Sequence, residues 1–227
     1  DADNTLAPDY LARMNDTLLA GAKVCKSRTK ASNPRASGVA GCYGLYNACF
    51  DLIWNRPRSA CGLSAKLIGT GFAVHRSVLE DLGGWNTSTI AEDAEFASQL
   101  ARAGYQVAWV PEAVNYDEEP TSFLVSLHQR KRWCSGLMQV ARRTLPALWQ
   151  GESPAPLRRW DMTMFLAAPF SQAVSAILLL LGVLTSFAQG DTLGLLVMAG
   201  SFALYLAGGM ALGAALCLIG GAWGARS

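Results

Sequence analysis

The spacing of apolar residues predicts helices and strands in alternation over the first half of the chain. Helical periodicity covers three segments: 8–21, 45–53 and 92–103. Strand-like alternation or short apolar runs cover three others: 23–28, 72–75 and 105–110. Pro111 is expected to close the last strand, because proline removes a backbone donor. This order predicts an α/β layer architecture.

The remainder of the chain is apolar. After Asp161 the only charged residues are Asp191 and Arg226. The two charge-free runs, 162–190 and 192–225, each exceed the roughly 20 residues that a helix needs to cross the hydrocarbon core. A short connector at Gly190 predicts a transmembrane hairpin. Arginines lie before the first run and after the second, so the positive-inside bias places the polar domain in the cytosol, at the inner (plasma) membrane.

Composition narrows the choice of partners. The chain has 227 residues and a net charge of +2, so we expect no nucleic-acid partner. Its six cysteines show no metal-ligand spacing, which favours reduced thiols. The chain opens on Asp1 with neither a Met nor an apolar run, and we expect it to lack an N-terminal part of the natural protein.

Two groups of acidic residues are candidates for chemistry. Asp1 and Asp3 flank a small residue, and at a strand end both carboxylates could hold a hard divalent cation. Taken alone, the pair is more typical of an ordinary Asp-rich turn than of a metal site. Glu92 and Asp93 begin a predicted helix, where acidic residues are stabilised by the helix dipole. The alternative interpretation makes one of them a general base.

The basic segment Gln129–Trp133 has the sequence QRKRW. Its arginines offer planar forks of donors that suit phosphate oxygens, and its Trp offers a flat apolar face that suits a sugar ring. The alternative is a juxtamembrane basic cluster with an interfacial Trp, a common feature of membrane proteins.

These motifs occur in one order that resembles the membrane-embedded family 2 glycosyltransferases, the group of cellulose, chitin, hyaluronan and poly-N-acetylglucosamine synthases. The family pattern contains DxD, TED and Q(Q/R)xRW. The chain matches DxD at Asp1 and Asp3 and matches Q(Q/R)xRW at 129–133. It departs at TED, where Ala91 replaces Thr while Glu92 and Asp93 remain.

The resemblance implies a partial GT-A (Rossmann-like) domain that uses a nucleotide-sugar donor and a divalent metal, Mg²⁺ or Mn²⁺. It implies that Asp93 is the base that activates the acceptor hydroxyl, and that Asp1 and Asp3 hold the metal and the diphosphate. The other implied substrate-binding residues, of which Trp133 would border the acceptor, are Gly71, Glu92, Gln129, Arg130, Arg132 and Trp133.

The expected organisation has three regions. Residues 1–125 form the C-terminal part of the catalytic domain, 126–161 an interfacial helical region, and 162–227 two transmembrane helices. The expected function is inverting transfer of a sugar, from a UDP-sugar donor, to a growing polysaccharide at the cytosolic membrane face. Two alternatives stay open: a lipid-sugar transferase similar to ceramide glucosyltransferase, and a non-catalytic membrane protein that binds anionic lipid.

The charge pattern yields a prediction of topology. A cysteine introduced at Gly190 should react with a membrane-impermeant thiol reagent in intact cells, because the arginines keep both outer ends in the cytosol. The unsubstituted protein is the control for labelling of native thiols. Labelling that requires cell lysis would contradict this orientation.

Overall fold

The computed structural model describes residues 4–85, 87–150, 155–198 and 200, and the chain divides into two compact units, Asp1–Leu166 and Ala167–Ser227. The first unit holds the strands β1 (Thr5–Leu6), β2 (Val24–Ala31), β3 (Phe72–Val74) and β4 (Val107–Asp117). The helices are α1 (Tyr10–Leu19), α2 (Gly38–Phe50), α3 (Arg56–Ala60), α4 (Arg76–Asp81), α5 (Glu92–Ala103), α6 (Phe123–Leu148) and α7 (Pro156–Ala188).

The four strands form one mixed sheet in the order β1-β4-β2-β3. The two central strands, β2 and β4, are parallel, whereas β1 and β3 pair antiparallel with them at the edges. A parallel pair needs a crossover connection, and the chain between 31 and 107 supplies it with helices. The alternation of strands and helices predicted from the sequence is confirmed.

The sequence predicted that the last strand closes at Pro111. This prediction was wrong, because β4 continues to Asp117. The pairing of β2 with β4 shifts register here: Ser27 lies opposite Val110, while Arg28 lies opposite Val114. Pro111 therefore falls in a bulge, where its missing N–H breaks no ladder hydrogen bond. This irregularity lets the strand run on to carry Asn115 and Asp117.

Helix α5 has the predicted bounds, and one of its faces carries the core. Phe96 and Leu100 are fully buried against Val24 of β2 and Val107 of β4. The helix ends at Gly104, whose φ of 82° is a left-handed conformation suited to glycine. Burying two large side chains at helical spacing fixes both the position and the rotation of α5, and so fixes the residues at its beginning.

Helix α2 begins at Gly38, before the start at residue 45 that the sequence predicted. The hydroxyl of Ser37 accepts a hydrogen bond from the N–H of Ala40 at 3.1 Å, which is an N-cap. After Phe50 the helix widens into a π-helical turn, Asp51–Asn55, and then continues as α3. The predicted helix over 45–53 is confirmed and is longer than expected.

Helix α7 begins before the charge-free run and is, among the described residues, the one helix long and apolar enough to cross a membrane. The chain turns at Gly190, with φ of 64°, and residues 192–198 are again helical. This turn lies where the sequence placed the connector. Most of the second predicted span, residues 201–227, lies outside the described residues.

Candidate active site

Asp93 is half-buried in the first turn of α5, and two backbone N–H groups hold its carboxylate. Oδ2 accepts a hydrogen bond from Gly69 at 2.5 Å, and Oδ1 accepts one from Ala94 at 2.7 Å. Burial raises the pKa of Asp93 above that of an ordinary carboxyl; the two N–H donors oppose this, and the charge of Glu92 adds to it. The carboxyl is thus oriented and made more basic at once.

The loop Gly69–Thr70–Gly71 lies beside Asp93 and has a constrained backbone. Gly69 and Gly71 have φ values of 63° and 70°, a left-handed conformation that side chains other than glycine rarely adopt. A Cβ on Gly71 would stand 2.3 Å from Ser27 Oγ and 2.4 Å from Asn115 Oδ1. Both glycines are therefore required: the first by its conformation, and the second by conformation and close approach.

A polar network anchors this loop to the two central strands. Ser27 donates its backbone N–H to the carbonyl of Gly71 at 2.8 Å. Its hydroxyl lies 2.7 Å from both Gly71 O and Asn115 Oδ1, and its single proton serves one of them at a time. Asn115 Nδ2 donates to Asp117 Oδ1 at 2.8 Å and to Thr70 Oγ1 at 3.3 Å. Strands β2 and β4 thus determine where the loop lies.

Tyr43 of α2 contacts several residues of the predicted motif on α6. The Tyr43 hydroxyl donates to Gln129 Oε1 at 3.1 Å and lies 3.0 Å from Ser126 Oγ. Its ring lies 5.0 Å below the guanidinium of Arg130 and packs edge-on against Trp133, with 6.3 Å between ring centroids. Three of the five motif residues are therefore aligned by a single tyrosine that is only 2% exposed.

Helix α6 also packs directly against the segment that leads into Asp93. A Cβ on Gly136 would stand 2.7 Å from Ala91 Cβ and 3.3 Å from Ile90 Cγ1. Glycine is unfavourable inside a helix, so its place here marks a close approach of two backbones. Gly136 follows Trp133 by one helical turn, and Ala91 precedes Asp93 by two residues. The contact brings the α6 motif to the side of the domain that holds the carboxyl group.

The remaining predicted residues have different surroundings. Glu92 points to solvent next to Asp93, and Arg132 is exposed and outside the Tyr43 cluster. Asp1 and Asp3 lie outside the described residues. Within residues 4–85, 87–150, 155–198 and 200, no group of three or more His, Cys, Asp or Glu side chains is placed to hold a metal ion.

Three residues that support this site, Gly136, Tyr43 and Asn115, were not predicted from the sequence. Gly136 had a detectable signal, since an isolated glycine inside a helical pattern indicates close packing. Tyr43 and Asn115 had none, because a tyrosine in a helix and an asparagine in a strand are ordinary. The roles of Tyr43 and Asn115 depend on contacts with residues more than 80 positions away in the chain.

A family model described as "Glycosyl transferase family group 2" matches residues 1–218. The chain belongs to this family. It carries a family 2 glycosyltransferase domain, which favours the enzymatic interpretation over that of a non-catalytic lipid-binding protein. The GT-A relationship predicted from the motifs is confirmed at the level of family and fold.

Curated relatives fall into several classes of this family. "Probable glycosyltransferase YdaM" of Bacillus subtilis (strain 168) is 34% identical over 150 residues, covering 64% of this chain and 35% of the relative. "Beta-monoglucosyldiacylglycerol synthase" of Nostoc sp. is 28% identical, over 60% of the chain and 29% of the relative. A cellulose synthase catalytic subunit of Xanthomonas axonopodis pv. citri is 39% identical, over 37% and 11%. The chain thus spans about a third or less of these relatives' lengths.

A solved structure with the same fold is the mannosyltransferase PcManGT from Pyrobaculum calidifontis, in complex with GDP-Man and Mn²⁺. It superposes with a TM-score of 0.58 at 23% identity, covering 93% of this chain and 56% of that one. At this identity the likeness shows the GT-A fold. The bound nucleotide-sugar and Mn²⁺ belong to that protein.

The Tyr43 cluster yields a prediction of stability. Tyr43→Phe keeps the ring but leaves the buried Ser126 and the half-buried Gln129 each short of a partner, so it should lower the free energy of unfolding by about 1–3 kcal/mol. Tyr46→Phe, on the half-exposed side of the same helix, is the matched control and should change it by about 0.5 kcal/mol or less. Denaturant unfolding of the purified protein measures both. Equal effects would show that the hydroxyl of Tyr43 makes no special contribution.

Proposed function

We propose that the natural protein is an inverting glycosyltransferase that moves a sugar from a nucleotide-sugar donor, a UDP-sugar, to a glycan or lipid acceptor. The observation that carries the proposal is the carboxylate of Asp93, half-buried and held by two backbone N–H groups. A general base must be both oriented and basic, and these surroundings supply both.

Asp93 would take the proton from the acceptor hydroxyl as that oxygen attacks the anomeric carbon. The bond from this carbon to the nucleoside diphosphate breaks in the same step, and its electron pair leaves with the diphosphate. Attack and departure occur on opposite faces of the sugar, so the anomeric configuration inverts. The raised pKa of Asp93 helps, because a carboxylate of higher pKa accepts the hydroxyl proton more readily.

The motif on α6 would bind the diphosphate and the acceptor. Gln129 uses its Oε1 atom on Tyr43, so its amide nitrogen is the end that can donate to a phosphate oxygen. Arg130 and Arg132 add planar, always-charged donors. Trp133 is 39% exposed and presents an apolar surface for the acceptor sugar, while its contact with Tyr43 fixes its orientation.

Asp1 and Asp3 would hold a divalent metal, Mg²⁺ or Mn²⁺, as the family resemblance implies. Their carboxylates are oxygen ligands of the type these ions prefer, and the Mn²⁺ bound to PcManGT supports metal use within this fold. A bound metal would supply charge neutralisation to the departing diphosphate. The family resemblance implies that Gly71 and Glu92 also belong to the substrate site, where Glu92 offers an exposed carboxylate.

Membrane attachment and the choice of acceptor are supported by different observations. Helix α7 is long and apolar enough to span a bilayer, and we propose that it and the following run form a hairpin with the catalytic domain in the cytosol. Relatives named for a diacylglycerol lipid and for cellulose support both acceptor classes. The three proposed regions remain 1–125, 126–161 and 162–227.

The base assignment predicts a separation of binding from turnover. In the full-length natural protein, Asp93→Asn should bind UDP with near-normal affinity, because the diphosphate contacts lie elsewhere. Its turnover should fall by about 10²–10⁴-fold, the usual cost of losing a general base. Calorimetric titration with UDP and an assay of UDP release measure the two quantities.

The matched control is Glu92→Gln, which neutralises the adjacent exposed carboxylate. Successive residues of a helix lie about 100° apart around its axis, so Glu92 points in a different direction from Asp93 and cannot replace it as the base. Its turnover should stay within about 10-fold of wild type, a loss smaller than that of the base. An active Asp93→Asn enzyme would place the base elsewhere. If Glu92→Gln lost as much turnover as Asp93→Asn, the assignment of the base to Asp93 and not to Glu92 would be contradicted.

A further inference from the structure

An ammonium group lies under the loop that holds Asp93. Lys26 is in the middle of β2 and is only 4% exposed, which is unusual for a lysine. Its Nζ donates a hydrogen bond to the carbonyl of Thr70 and another to Thr29 Oγ1, at 3.2 Å for the second. Burying a charged amine costs several kcal/mol unless it is compensated, so these contacts and the nearby carboxylates must offset the burial.

Three carboxylates from three other elements face this amine. Asp117 of β4 has the strongest effect on it, followed by Asp51 of the π-helical turn and Asp93 of α5. Burial lowers the pKa of Lys26 to about 8, although the three carboxylates oppose that change. Asp51 itself also pairs with Arg28 of β2, 3.3 Å away. We therefore expect this amine to lose its charge as the pH rises through about 8.

The contact made by Lys26 is adjacent to the contact made by the base. Lys26 holds the carbonyl of Thr70, and the N–H of Gly69, one residue earlier, donates to Asp93 Oδ2. On the other side, Ser27 holds the carbonyl of Gly71. Neighbouring residues of one strand thus fix two successive carbonyls of a loop whose glycines both have positive φ.

We propose that Lys26 is a positioning residue for the transfer reaction: its ammonium fixes Thr70, and the loop so fixed orients the carboxylate of Asp93 toward the acceptor hydroxyl. The proposal rests on the proposed function of Asp93 as the base. Lys26 does not touch substrate in this account. It acts through the Gly69–Gly71 loop.

The variant Lys26→Met tests this, since it keeps the length and apolar stem of the side chain and removes the ammonium. In the full-length natural protein, kcat should fall by about 10–100-fold, the usual effect of a small displacement of a catalytic group. UDP affinity should stay within about 2-fold, because no proposed diphosphate contact changes. Lys30→Met, an exposed lysine on the same strand, is the matched control and should leave both quantities unchanged.

The dependence of kcat on pH separates positioning from a merely structural role. The charged amine is present below its pKa and lost above it, so wild-type kcat should decline as pH rises through about 8. Lys26→Gln, which retains a hydrogen-bond donor without a titrating group, should lack this alkaline decline and should fold even if Lys26→Met does not. Thermal unfolding of each variant checks the fold.

The outcomes distinguish this inference from the function on which it rests. Wild-type kcat in Lys26→Met, or an unchanged alkaline decline in Lys26→Gln, would overturn the positioning role. An inactive Asp93→Asn enzyme would then still support Asp93 as the base. Retained turnover in Asp93→Asn would instead overturn the proposed function itself. The result expected for positioning is a reduced kcat with normal UDP affinity in Lys26→Met, together with no alkaline decline of kcat in Lys26→Gln.

Discussion

The hydrogen bond from the backbone of Gly69 to the carboxylate of Asp93 joins the two segments on which the site depends. Asp93 belongs to α5, which is fixed by burial of Phe96 and Leu100 in the core. Gly69 belongs to a loop fixed by Ser27, Lys26 and Asn115 of the central strands. The bond forms only when both segments are in place, so the position of the Asp93 carboxylate depends on the packing of α5 and of the loop.

A second constraint aligns the other side of the site. Tyr43 is buried between α2 and α6, and its hydroxyl and ring together hold Gln129, Arg130 and Trp133. Gly136 then lets α6 approach the chain just before Asp93. Because Tyr43 orients Gln129, Arg130 and Trp133, these three residues would need less ordering if they bind substrate as proposed, which would reduce the entropic cost of recognition.

Local patterns in the sequence were enough to predict α5 and the strands β2, β3 and β4, whereas the two-residue strand β1 was not predicted. The roles of the motif residues stay predictions. Helix α5 shows strong periodicity and a glycine at its end, so its bounds are evident. The end of β4 was wrong, because the bulge that accommodates Pro111 depends on pairing with β2 and leaves no local signal. For the same reason Tyr43, Lys26 and Asn115 were not found, since their roles arise from contacts between distant segments. Asp1 and Asp3, predicted from a motif alone, stay predictions.

The anomeric configuration of the first product tests the central claim most directly, because a base that activates the acceptor for direct displacement can produce only inversion. The full-length natural protein would be supplied with a UDP-α-sugar and a single acceptor, and the product's anomeric proton observed by NMR during the first turnovers. A β-linked product is the result that Asp93 acting as the base predicts. An α-linked product would mean that the configuration is retained, and would contradict this mechanism.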